Sequence, residues 1–276
     1  MKYKNFLALA LYGLLIACST PQADTAKRES ESRLAKAEAM FKERCKAAGE
    51  KIYRTAENVE GIFLMKLRPE EINYGEQFKM DDPYGRDLGG EGYIQSFVRG
   101  FETRQATFAP GSPSRLGYRY VEALDPQDGK RYRYTGAVRE VTRISSPLIG
   151  GDGKSFKTTA FVLDKTPATG PQPRYGVTYD DISTREDRDY WIAGSSLRVI
   201  DLKTNEVMAE RIGYMMDRGQ GNRAGGRSPW LLAADSACPT FQRNPFNPLP
   251  PGHGASAQQI QTEDFVEKVL KPIVEK

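Results

Sequence analysis

Residues 116–143 read LGYRYVEAL, then DPQDG, then KRYRYTGAVREVTR, and this stretch decides the fold class. Two runs rich in aromatic and β-branched residues flank Asp125 to Gly129, where Asp, Pro and Gly supply turn conformations. In Lys130-Arg131-Tyr132-Arg133-Tyr134, arginine and tyrosine alternate. Side chains in a strand repeat every two residues, so the tyrosines fall on one face and the arginines on the other. The stretch is a β-hairpin. The same pattern recurs from Ser196 to Leu202, through the turn Lys203-Thr204-Asn205-Glu206, into Val207 to Met216.

Working outward, Thr158 to Asp164 and Tyr175 to Tyr179 read as further strands. So do Lys51 to Ala56 and Val59 to Leu67, separated by Glu57-Asn58, and Tyr93 to Phe101. Residues 68–92, Gly219 to Ser228 and Asn244 to Gly254 read as loops. Helical spacing of Leu34, Ala37, Met40, Phe41, Cys45 and Ala48 predicts a helix over Ser30 to Ala48, with Gly49 as its C-cap. A short closing helix is expected over Thr262 to Leu270, ended by Pro272. The expected architecture is α+β, a predominantly antiparallel β-sheet with an N-terminal helix and a short C-terminal helix. No clean linker divides residues 30–276, which read as a single globular domain.

The first residues carry an address. Lys2 and Lys4 precede an apolar run from Phe6 to Ala17, too short to span a bilayer core of about 30 Å. Residues 1–17 read as a signal peptide. Leu15-Ile16-Ala17-Cys18 matches the lipobox of bacterial lipoproteins, which makes Cys18 the site of lipidation and membrane attachment. Ser19 stands where an inner-membrane retention signal often has Asp, which points to the outer membrane, facing the periplasm. Residues 18–29 are polar and aperiodic, and are expected to form a flexible tether. In that oxidising compartment, Cys45 and Cys238 are the remaining thiols, which favours a disulfide over free thiols or an intermolecular bridge.

Composition bounds the chemistry. There are 40 Lys and Arg against 36 Asp and Glu, without the clustering that nucleic acid requires, so no nucleic-acid partner is expected. One histidine, His253, excludes any metal site built on two imidazoles, and its proline-rich loop suits no catalytic triad. Gly153-Lys154-Ser155 resembles the end of a phosphate-binding loop, but Leu148 occupies the position of the first glycine, so a hairpin turn is expected. Asp81-Asp82, Asp125, Asp128 and Asp180-Asp181 lack calcium-loop spacing and read as turn and cap residues. Gly194-Ser195-Ser196 lies in a strand, not on a nucleophile elbow. Trp191 reads as core. Arg211, Arg218, Arg223 and Arg227 form either a solvated face or an arginine-rich surface for an acidic partner. No catalytic, cofactor or metal residue is identified.

Gly49-Glu50-Lys51-Ile52-Tyr53-Arg54-Thr55 and Asn58-Val59-Glu60-Gly61-Ile62 follow a Cys-bearing first helix in a tethered lipoprotein. With Tyr190 to Gly213 and Trp230 to Phe241, they resemble a class of small Gram-negative lipoproteins. Members of that class are encoded beside type VI secretion lipase effectors and serve as their immunity proteins. The resemblance implies a non-enzymatic binding module whose partner is a secreted effector, a lipase, but it assigns no contact residue. Two other readings stand beside it: an envelope lipoprotein with a structural or assembly role, and an enzyme with an unrecognised carboxylate site.

Overall fold

A computed structural model describes residues 21–70, 77–85, 89–101, 116–146, 148, 151–241 and 257–274. Helix α1 (Pro21–Cys45) leads into strands β1 (Gly49–Ile52), β2 (Ala56–Val59) and β3 (Gly61–Leu64), then a 3-10 turn at Pro83–Gly85 and helix α2 (Gly90–Gln95). Next come β4 (Tyr120–Leu124), β5 (Arg131–Ile144), β6 (Ser155–Pro167) and β7 (Tyr175–Asp181). Helix α3 (Arg185–Asp189) precedes β8 (Ile192–Asp201) and β9 (Glu206–Met216). Helix α4 (Pro229–Ala233), β10 (Ala237–Cys238), α5 (Ala257–Val269) and β11 (Leu270–Pro272) complete the order.

One sheet of nine strands runs β1-β9-β8-β7-β3-β4-β5-β6, with β10 also paired to β9. Both hairpins read from the sequence are present as antiparallel pairs, β4 with β5 and β8 with β9. Their turns form for the expected reasons. Asp125 accepts the Gln127 amide at 2.7 Å, and Gly129 and Asn205 take the left-handed backbone that closes each turn. β3 pairs in parallel with both β4 and β7, so the sheet is mixed. As the central parallel strand, β3 is buried along its whole length, and its Ile62-Phe63-Leu64 run is accordingly apolar.

One face of the sheet carries Val121, Ala123, Val177, Tyr179, Leu197 and Val199. It packs under Tyr93 and Ile94 of α2 and under Phe265, Val266 and Val269 of α5. On the opposite face, Ile192, Tyr214 and Met216 pack against Ala37, Met40 and Phe41 of α1. The Cys45–Cys238 disulfide, with Cα atoms 5.6 Å apart, bolts the end of α1 to β10. Arg44 adds an ion pair at 2.9 Å to the buried Asp187 of α3. That carboxylate also closes a capping box with Thr184.

Five local expectations change. The first helix begins at Pro21 rather than Ser30, so residues 21–29, expected as tether, are helical, with exposed side chains from Asp24 onward. Gly49 opens β1 instead of capping α1, and Glu57-Asn58 lie inside β2. Tyr93 to Phe101 is not a strand: Tyr93, Ile94, Phe97 and Val98 recur at helical spacing and drive one face of α2 and the following turn into the core. The closing helix spans Ala257–Val269, and Leu270–Pro272 then pairs in parallel with β2.

Candidate functional site

The arginines of the second half do not gather into one surface. Arg211 is fully buried on β9, its Nη1 3.4 Å from the Thr262 hydroxyl of α5 and its guanidinium over the Tyr84 ring. Arg227 is consumed by the buried Asp217, at 3.0 Å through Nη1. Arg218 pairs with Glu38 of α1 at 2.8 Å, and Arg223 is exposed. Arg211 faces the core because odd-numbered residues of β9 point toward α4 and α5, so sequence proximity does not become spatial proximity.

The aspartate pairs likewise meet cations of the chain itself. Asp81 lies 3.0 Å from Lys66 and accepts the Tyr179 hydroxyl; Asp180 pairs with Arg198 and Asp181 with Arg188. Asp128 accepts the Lys130 amide at 2.9 Å and the Tyr132 hydroxyl at 2.8 Å, as a turn residue does. Among the described residues no cluster of His, Cys, Asp and Glu is placed to hold a metal ion. Trp191 stacks on Trp230 with ring centroids 5.2 Å apart, beside Gly221, where a Cβ would collide with the indole. Cys18 and His253 lie outside the described residues.

A buried polar network escaped sequence reading. Arg68 and Asp82 form an ion pair at 2.8 Å, both side chains withdrawn from solvent, and the Ser195 hydroxyl donates to the same carboxylate at 2.9 Å. The Arg68 guanidinium lies 4.0 Å from the centre of the Tyr179 ring, and Arg188 donates to the Met80 carbonyl at 2.9 Å. Burial raises the Tyr179 hydroxyl far above its ordinary range and lifts that of Tyr84 to about 12, so neither exchanges protons near neutral pH. Ser195 is enclosed, and its proton is committed to Asp82. The network clamps Arg68 and the segment Met80–Asp82 onto the sheet.

The exposed feature of the fold is the β5–β6 ribbon. β4 pairs with β5 only from Arg131, opposite Leu124, to Tyr134, opposite Val121, whereas β5 and β6 stay paired out to Ile144 opposite Ser155. From Thr135 onward β6 is the strand partner of β5, and at about 3.4 Å per residue this overhang extends about 30 Å. Cross-strand pairs stiffen it: Arg139 holds Asp164 at 2.9 Å, and Lys157 holds Glu140 at 2.8 Å. Large apolar side chains nevertheless remain in solvent along it, at 47% exposure for Val138, 72% for Ile144, 96% for Leu148 and 49% for Phe156.

No protein-family model, curated protein or solved structure matches the chain.

A grouping of exposed apolar residues on a stiff projection is the mark of a contact surface, whereas singly scattered ones are ordinary. The signal was present in the sequence as a length mismatch. The β-rich run of β5 continues well past the point where the five-residue β4 can pair with it, so its far half extends beyond β4 with β6 as its partner.

Proposed function

We propose that this protein is a lipoprotein of the cell envelope that binds a toxic secreted effector, a lipase, and neutralises it by covering its active site. The observation that carries the reading is the β5–β6 ribbon, a stiff projection with exposed Val138, Ile144, Leu148 and Phe156. Inhibition by occlusion needs a preorganised surface with aromatic, aliphatic and arginine anchors on a rigid scaffold, and no chemistry of the inhibitor's own. The scaffold here is one sheet with α1 bolted onto it through Cys45 and Cys238. The lipobox ending at Cys18 supports attachment to the outer membrane, on the periplasmic side where such an effector acts. Among the described residues no helix is long and apolar enough to cross a membrane, so the proposed attachment is the acyl chains of Cys18.

The test seeks a candidate secreted lipase among the genes beside this one, co-purifies it with the mature chain and titrates lipase activity. A stable complex and near-complete suppression at equimolar ratio are expected, unchanged by His253→Ala, since blocking a site needs no proton transfer from the blocker. Absence of a complex at micromolar concentration refutes the reading and favours the structural or assembly role.

A further inference from the structure

The two faces of the ribbon differ in what they offer, and together they specify the surface that receives it. Alternation along β5 puts Val138, Glu140 and Ile144 on one face and Arg139, Val141 and Arg143 on the other. Phe156 is the register partner of Arg143 and shares its face. Exposed apolar groups therefore occupy both faces, Val138 and Ile144 on one and Phe156 on the other, with Leu148 at the tip. A flat surface would cover one face and leave the other wet. The ion pair Lys157–Glu140 lies between Val138 and the tip, whereas Arg139 reaches back to Asp164, the register partner of Thr135. A bilayer that engulfed the ribbon as far as Val138 would take the Lys157–Glu140 pair and the Arg139 guanidinium into hydrocarbon, at a cost of several kcal/mol for each ion. A two-walled cleft covers both faces and leaves the pairs at its rim.

Charge narrows the partner further. Lys154 is matched by Asp152 at 3.2 Å, Arg139 by Asp164 and Lys157 by Glu140, but Arg143 has no acidic partner among the described residues. An uncompensated guanidinium beside an exposed phenyl ring is the composition of an interface anchor.

Resting on the effector-binding reading above, we propose that the β5–β6 ribbon inserts into an apolar cleft of the partner protein, which supplies a carboxylate to Arg143. Ile144, Leu148 and Phe156 fill the cleft, and Arg143 sets the orientation at its wall.

The probe is the purified candidate lipase of the test above, and the protein is the chain without residues 1–18. Three forms are compared by calorimetry or surface binding: wild type, Ile144→Asp with Leu148→Asp, and Arg143→Glu. All three side chains lie at the ribbon's end, so thermal unfolding of the variants should match wild type within a degree or two. The tip double variant is expected to bind about 100-fold more weakly, and Arg143→Glu about 10-fold more weakly with a shallower dependence on salt. If wild type binds the lipase and the variants bind equally well, the ribbon inference is overturned while the effector-binding reading stands. If wild type does not bind, both fall. If wild type binds vesicles of phosphatidylglycerol and phosphatidylcholine, and the tip variant loses that binding but keeps the lipase, the ribbon is a bilayer element and the cleft proposal is wrong.

Discussion

Replacing Cys45 and Cys238 together by serine tests how the first helix is held to the body. The two cysteines are separated by 193 positions, and the bond joins the last residue of α1 to β10, which is itself paired to β9. In the chain-entropy treatment, a closed loop of this size removes about 5 kcal/mol of disorder from the unfolded state. Residual structure in the unfolded chain reduces the measurable share, so a loss of about 2–5 kcal/mol is expected. For a domain of this size each kcal/mol moves the midpoint by about 2–4 °C, which puts the fall in Tm at about 4–20 °C. Folded packing changes little, because Ala37, Met40 and Phe41 still bury against Ile192, Tyr214 and Met216. The assay is calorimetric unfolding of wild type with and without reductant beside the double serine variant. Reductant should shift wild type and leave the variant unmoved. Two thiols that titrate in the denatured, unreduced protein, or a midpoint unchanged by reduction, would refute the reasoning.

Three further outcomes follow from the same physics. Cys18→Ala should move the protein from membrane to soluble fractions, because its acyl chains provide the anchorage; persistence in the membrane with unchanged lipid labelling contradicts the lipoprotein reading. Asp82→Ala strands the buried Arg68 without a counter-charge and should cost about 3–5 kcal/mol in urea unfolding, while Asp82→Leu combined with Arg68→Met should cost markedly less; a single-variant loss below about 1 kcal/mol would show the pair to be solvated. Asp201 is held down to about 2, chiefly by hydrogen bonds from Arg174, with further donation from Arg54 and the Lys203 amide. Its folded value lies below the unfolded carboxylate value of about 3.9, so it stabilises the fold above about pH 4 by about 2 kcal/mol, a contribution lost as pH falls toward 2. Asp201→Asn should therefore be less stable than wild type at pH 7 and nearly equal to it at pH 2. Equal stabilities across that range would mean that the ion pairs contribute nothing.

Strands announce themselves locally, and the sequence was legible wherever local chemistry decides. The alternation in Lys130 to Tyr134 and the turns at Asp125 to Gly129 and Lys203 to Glu206 produced both hairpins as read. The cysteine count led to the disulfide. Tyr93 to Phe101 was misread because aromatic and β-branched residues suit a strand and a buried helix face alike. Only the sheet beneath, which needed Tyr93, Ile94 and Phe97 on one side, selected the helix. The placement of Arg211 and Asp82 was likewise invisible. Charged residues read as surface until a partner is seen, and Arg68 and Ser195 reach Asp82 from positions 14 and 113 residues away. The ribbon lies between these cases. The strands β5 and β6 were each readable, and so was the length mismatch with β4, but how far their side chains stay in solvent was not. Whether a strand is covered depends on the length of its neighbour, and β4 stops at five residues because it runs directly into the turn at Asp125. Propensity and turn chemistry act over a few residues and can be read in order along the chain. Burial, ion pairing and exposure depend on what the other elements bring to the same place, which only the packed structure decides.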